Sequence, residues 1–229
     1  MSSDAKPALN QSVERAARLL GLFTSDEPAL SLREIGERAG LTRATAHRYV
    51  TALRQAGLLR SSDGAYALGP RIVELASVAL AGLGVQRLAG PYMDRLAEAT
   101  GQTVVLSVWD GGAPVVVRST DRPDRLVRIV ISPGARLRRE SAQGRVFRAF
   151  LEREPGPAAR RIRDERVTYA DTNEGIAAIA APVFQAGEIV AAMAVVGTRV
   201  SVLRTENDIT AALTAFAREL SAQLGSTEP

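Results

Sequence analysis

Apolar positions recur along this chain with two different periods, and the change from one to the other divides it. In NQSVERAARLLGLF (10–23), Val13, Ala16, Ala17, Leu20 and Phe23 fall at spacings of three and four, the stripe of an amphipathic helix. SLREIGERAG (31–40) follows, with Ser31 and Glu34 at capping-box spacing and Gly40 as a helix stop. Thr42 heads a third helix, RATAHRYVTALRQAG, which turns Ala46, Val50 and Leu53 to one side and closes at Gly57. LLRSSDGAYALG (58–69) sets two short apolar runs around Asp63–Gly64, a hairpin signal. Helix, helix, short turn, helix and hairpin is the order of a winged helix-turn-helix.

Pro70 suits the first position of a helix through RIVELASVALAGLG (71–84), and VQRLAGPYMDRLAEATG (85–101) resumes helical spacing despite Pro91. From residue 103 the period becomes two. TVVLSVWDGGAPVVVRST (103–120) reads as a hairpin around Gly111–Gly112, and LVRIVIS (126–132) as a strand ended by Pro133–Gly134. SAQGRVFRAFLERE (141–154) is helical. RVTYAD, IAAIAAPVFQAG and EIVAAMAVVG read as three strands, the last two joined around Ala186–Gly187. A closing amphipathic helix spans 205–224, with Thr205 as its cap. The fold class is α+β, an antiparallel sheet flanked by helices behind a small helical domain. The expected organisation is 1–69, a linker helix over 70–84, and a second domain over 85–229.

Composition sharpens the first of these parts. At 229 residues, with 46% apolar and 24% charged, the chain can bury substantial cores. A net charge of +4 says little, and 28 of the 29 basic residues are Arg, with Lys6 the sole lysine. Distribution says more: residues 40–60 hold Arg43, Arg48, Arg54 and Arg60 and no acid. With Ala46, Val50 and Leu53 in a core, the other side of the third helix carries Arg43, Ala44, Thr45, His47, Arg48 and Thr51. That set suits a DNA major groove: Arg for guanine edges or phosphate, Thr and Ala for thymine methyls, His for a base edge or phosphate. Thr42 and the helix N-terminus could hold a phosphate. Arg60, Ser61, Ser62 and Tyr66 of the hairpin would meet backbone or minor groove. The competing reading is a solvated basic face of a protein-interaction domain.

Catalysis finds little to work with. There is no cysteine, and the one histidine, His47, lies in the third helix, away from any nucleophile–base pairing. Neither H-E-x-x-H nor G-x-x-x-x-G-K-[ST] occurs, and the pairs Asp121/Asp124 and Asp171/Glu174 read as solvated turns. No enzyme, cofactor or metal is expected. MSSDAKPALNQ lacks a signal-peptide core, and the longest apolar run, LASVALAGLGV (75–85), is short of the ~20 residues of a membrane span, so a cytoplasmic protein is expected.

Taken in order, SVERAARLLGLF…SLREIGERAGLTRATAHRYVTALRQAGLLR…GAYALGPRIVELA, LAEATGQTVVLSVWDGG and NEGIAAIAAPVF…GEIVAAMAVVG resemble the isocitrate lyase regulator (IclR) family of bacterial transcription factors over nearly the whole chain. The resemblance implies a winged helix-turn-helix, a linker helix and a GAF-like effector domain. It also implies homodimers, or tetramers as dimers of dimers, on palindromic operator DNA, with a small-molecule effector shifting the two reading heads. A repressor is expected, although no residue separates a repressor from an activator. Matching positions would put Ser107, Trp109, Ser141, Ala142, Gln143, Glu174, Ala178, Ala194 and Val196 around the effector.

Two departures stand out. Only about fifteen residues, EREPGPAARRIRDER, fill a segment that is longer and helical in family members. Members that bind small oxo-acids have Cys or a similar residue where Ala178 stands, and Ser where Ala194 and Val196 stand. A carboxylate buried without donors costs several kcal/mol, so three methyl-bearing positions favour an aromatic or apolar metabolite. Each residue keeps a structural alternative: Trp109 in a core or interface, the alanines and Val196 in a closed core, Ser141 as a helix cap, Glu174 in a solvated loop. A regulator acting through protein contacts without an effector, or an enzyme with a winged-helix appendage, are the other classes.

Overall fold

The computed structural model describes residues 10–24, 26–121 and 129–226, the side chain of Ser62 excepted. The chain forms two compact units, Met1–Ala79 and Leu80–Pro229. In the first, α1 (Gln11–Leu20) starts at Asn10, whose side chain accepts the Ser12 N–H. A three-residue strand, β1 (Ala29–Ser31), leads into α2 (Leu32–Ala39). Both halves of the capping box form: Ser31 Oγ accepts the Glu34 N–H, and the Glu34 carboxylate accepts the Ser31 N–H. These bonds hold the Glu34 carboxyl below its ordinary pKa. Gly40 ends α2 in the left-handed region at φ 65°. α3 (Arg43–Gln55) is capped by Thr42 and buries Ala46, Val50 and Leu53, as its spacing predicts.

The hairpin β2 (Leu59–Ser62) and β3 (Ala65–Leu68) turns at Asp63 (φ 52°) and Gly64 (φ 78°), a pair of left-handed residues matching strand twist. β3 pairs with β1 on its other side, giving sheet order β1-β3-β2. The core is Leu19, Phe23, Leu30, Ile35, Val50, Leu53 and Leu59. This corrects the stripe expected on α1. Leu19 and Phe23 are buried, whereas Val13 and Ala17 are exposed, because the helix turns one position further about its axis than the 13–16–20 spacing suggests.

α4 (Pro70–Gly82) begins at Pro70 and buries none of its residues. Val73 and Val78 are 67% and 70% exposed, an unusual state for valines on an apolar helix. After Leu83, α5 (Gly84–Thr100) runs through Pro91 to a left-handed Gly101. No single helix among the described residues is long and apolar enough to cross a membrane.

The second unit is a five-stranded antiparallel sheet in the order β5-β4-β8-β7-β6, formed by β4 (Thr103–Trp109), β5 (Pro114–Thr120), β6 (Thr168–Asp171), β7 (Ile176–Gln185) and β8 (Glu188–Thr198). One face packs α5 and α9 (Glu206–Gln223) through Met93, Leu96, Leu106, Met193, Leu213 and Leu220. The other packs α6 (Ala142–Phe150) and α7 (Pro157–Glu165) through Val105, Val146, Phe147, Ile162 and a row of alanines. Burial on both sides explains why β7 and β8 read as nearly unbroken apolar runs. Ala186 (φ 50°) and Gly187 (φ 81°) make their turn.

Three expectations change. Of the strand expected over 126–132, residues 126–128 lie outside the described residues, and 129–132 are not strand. The chain meets the sheet just beyond, where Gly134 and Leu137 donate to Val116 O and Pro114 O, because Pro133 offers no N–H and Gly134 (φ 89°) turns the backbone. Thr205 does not cap α9 through its side chain: its hydroxyl donates to Ser201 O, bonded to a short helix, α8 (Arg199–Arg204), capped by Thr198. The segment 152–166 holds α7, whose Ala159 and Ile162 are buried in the α6-side core.

Candidate functional site

Cap chemistry sets up the outward face of α3. The Thr42 hydroxyl accepts the Thr45 N–H and donates to Thr45 Oγ1, so Thr42 serves the helix start with both its functions. The N–H groups of Arg43 and Ala44 are left without intrachain acceptors at the positive end of the helix. Thr42, Arg43, Ala44, His47 and Arg48 are exposed, and Thr45 and Thr51 lie half-buried at the rim. The structure thus brings all the third-helix candidates to one surface.

Charge pairing distinguishes this surface from its neighbour. On α2, Arg33 pairs with Glu37 at 3.1 Å and Arg38 with Glu27 at 2.7 Å. Among the described residues no carboxylate pairs with Arg43, Arg48, Arg54 or Arg60. Four uncompensated guanidinium groups on one side of a small domain form a positive surface of the kind that phosphate attracts.

The wing divides the hairpin candidates. Arg60 sits opposite Ala67 and points outward, whereas Ser61 opposes Tyr66, which itself opposes Leu30. Tyr66 is half-buried against the domain core, so its ring belongs to the inward face. Ser62 shares the register side of Arg60 by alternation. Sequence reasoning set Arg60 and Tyr66 together because a four-residue strand does not declare which face is inward.

In the second unit, the expected effector residues mostly converge on the α6 side of the sheet. Ser107 lies opposite Ala192, Ala194 opposite Val105, and Val196 opposite Ala178. Trp109 packs on Phe147 with ring centroids 5.4 Å apart, and the Arg139 guanidinium lies 5.4 Å from the Trp109 ring while bound to Glu152 and Gly112 O. Ser141 caps α6 by accepting the Gly144 N–H, and Ala142 is fully buried. Two polar groups in this layer have no partner among the described residues. Ser107 Oγ is fully buried without a hydrogen bond, and the Gln143 side chain, 2% exposed, makes none. An unsatisfied buried polar group costs about 1–3 kcal/mol, so both are places where an added acceptor or donor would stabilise the fold. Glu174 stands apart. It is exposed on the β6–β7 loop, and a hydrogen bond from Thr172 lowers its pKa.

Sequence reasoning missed Ala180 and Ala192, which complete the alanine floor between Ala194 and Ser107, and Phe147, which walls it. Helical spacing in SAQGRVF marks Phe147 as apolar but not as the partner of Trp109.

Comparison with known proteins supports both halves. The IclR helix-turn-helix domain matches residues 12–63, and the bacterial transcriptional regulator IclR C-terminal domain matches 77–166. A helix-turn-helix-type transcriptional regulator of Mycobacterium tuberculosis is 37% identical over 139 residues, 60% of this chain but only 49% of that protein. The glycerol operon regulatory protein of Streptomyces coelicolor is 29% identical over 248 aligned positions, 94% of this chain and 97% of that protein. The crystal structure of an IclR homolog from Microbacterium hydrocarbonoxydans complexed with 4-hydroxybenzoate has the same fold, with a TM-score of 0.74 at 23% identity, over 93% of this chain and 99% of that one. With a winged helix-turn-helix in front, a helix-flanked antiparallel sheet behind and a family match on each, the chain belongs to the IclR family of DNA-binding transcriptional regulators.

Proposed function

We propose that the protein is a homodimeric repressor that reads a palindromic operator with α3 and the wing, and responds to a small aromatic or apolar metabolite bound between α6 and the sheet. The observation that carries the DNA reading is the set of four arginines without carboxylate partners on and beside the outward face of α3. Arg43, Arg48, His47, Ala44, Thr45 and Thr51 take the major groove, with Thr42 and the free N–H groups at a phosphate, and Arg60 and Ser62 the backbone beside it. The division of labour is residues 1–69 for DNA, 70–84 as linker and 85–229 for the effector. Exposed Val73, Leu75, Val78 and Leu80 of α4 support pairing with a second copy.

The effector reading rests on the unpartnered Ser107 hydroxyl and Gln143 amide beside Trp109, Phe147 and the alanine floor. An aromatic body would pack on the rings while those groups fix its polar end. The 4-hydroxybenzoate held by the Microbacterium relative is a ligand of that description. The protein would act as a regulator rather than an enzyme, with dimer and tetramer both compatible with the two-fold operator.

Selection of bound duplexes from a randomised pool is expected to return an inverted repeat, with half-site centres one or more helical turns of about 34 Å apart. The same complex should lose affinity when an aromatic acid such as 4-hydroxybenzoate is added. A selected sequence without two-fold symmetry, occupied by one protomer, would contradict the proposal.

A further inference from the structure

The outward stripe of α3 does not stop at the residues assigned to the major groove. Positions spaced by four and three carry it through Ala44, Arg48 and Thr51 to Gln55 in the last turn. There the chain reverses. Gly57, at φ 72°, donates to Arg54 O, and the Leu58 N–H donates to Leu53 O, the paired bonds of a Schellman motif. The reversal lays β2, the edge strand of the wing, alongside the end of α3. Between them is a notch of about 410 Å³ lined by Thr51, Arg54, Gln55, Leu59, Arg60 and Ser61.

The notch is built almost wholly from groups that donate hydrogen bonds. Two guanidinium groups, two hydroxyls and an amide line it, with one leucine and no carboxylate. Neither Arg54 nor Arg60 has a partner among the described residues. A helix end is a poor place for an anion on dipole grounds alone, but here two full positive charges outweigh a partial negative one.

Duplex geometry says what passes over this spot. If α3 lies in the major groove and the wing reaches the adjacent minor groove, the surface between them must cross the sugar–phosphate backbone that separates the two grooves. We infer that the notch seats a backbone phosphate of the operator, clamped by Arg54 and Arg60 and assisted by Thr51, Gln55 and Ser61. The inference rests on the DNA reading above and adds a distinct role to it. Arg54 and Arg60 set register and affinity without reading sequence, while Arg43 and Arg48 read base edges.

The two roles separate in a binding experiment on the whole chain, with the selected operator and a scrambled duplex of equal length, measured by fluorescence anisotropy. Arg54→Gln and Arg60→Gln should each weaken binding about tenfold, by the same factor on both duplexes. Each should also flatten the slope of log affinity against log salt by about 0.9, the value of one phosphate contact. A second measurement does not depend on how the variants fold. Operator duplexes carrying a single uncharged methylphosphonate, placed in turn along the backbone, should include one that costs the wild type about tenfold and the Arg54→Gln/Arg60→Gln variant almost nothing. Unchanged affinity and slope in both variants, or a loss confined to the operator, would overturn the phosphate seat and leave the DNA reading standing. A wild-type protein that binds neither duplex would overturn both.

Discussion

Replacing Arg43 and Arg48 together by alanine is expected to weaken operator binding by about a hundredfold or more, with the fold intact. Each well-placed arginine on a base edge contributes about 1–3 kcal/mol of discrimination, and two such contacts lie in the range of a hundredfold change. The fold should not suffer. Both side chains are exposed, neither takes part in an ion pair among the described residues, and alanine is at least as good a helix former. Arg43 stands at the first position of α3, where the helix dipole already disfavours a cation, so its removal relieves a small repulsion. The signature is selective: affinity for the operator falls toward that for scrambled DNA, while the thermal unfolding curve stays where it was. Operator affinity within threefold of wild type would contradict the assignment of α3 as the reading helix.

Gly144→Ala is the corresponding test of the second unit, and it should be strongly destabilising. A Cβ on Gly144 would lie 2.2 Å from Arg139 O and 2.6 Å from Arg139 C, contacts that backbone atoms cannot yield as a side-chain end could. Gly144 is also the residue whose N–H donates to the Ser141 cap, so movement that relieves the clash breaks the start of α6. Overpacking costs of about 1–3 kcal/mol combine with about 1 kcal/mol for the lost cap. A change near 3 kcal/mol corresponds to a fall in Tm of about 6–12 °C for a domain of this size. Calorimetry should put the loss on the transition of the second unit alone. An unchanged transition would mean that residues 138–140 do not cross over the first turn of α6 as described.

Much of the architecture was legible because local chemistry announces itself. Ser31 with Glu34, Thr42 before RATAHRYV, and the Asp63–Gly64 and Ala186–Gly187 pairs each encode a cap or turn within a few residues, and all four form helix starts or hairpins. What stayed hidden depended on packing at a distance. β1 has only three residues and exists because β3 has a free edge to offer Leu30. Tyr66 joined the DNA-facing list until the register set it opposite Leu30. The stripe on α1 rotated from Val13 to Leu19 because the rest of the core decides which of two adjacent apolar stripes is buried. In the second unit, SAQGRVF and TVVLSVW place Gln143 and Ser107 on a helix and a strand. Whether either polar group finds a partner is a property of the assembled layer, and no spacing rule carries it.

The same contrast applies to the basic residues. Arg33 and Arg43 look alike in sequence, but an i,i+4 glutamate occupies the first and leaves the second available. Sequence supplied the cluster; tertiary structure separated the compensated arginines from the uncompensated ones.

The central claim is that this uncompensated surface meets DNA phosphate and bases. Its most direct test is the affinity of the wild-type chain for its selected operator as salt rises from 50 to 200 mM. A dimer contacting on the order of six to ten phosphates should lose about a thousandfold or more in affinity across that range, with log affinity falling linearly in log salt. Affinity that does not change with salt, or no binding to the duplex at 50 mM by a folded protein, would contradict the claim.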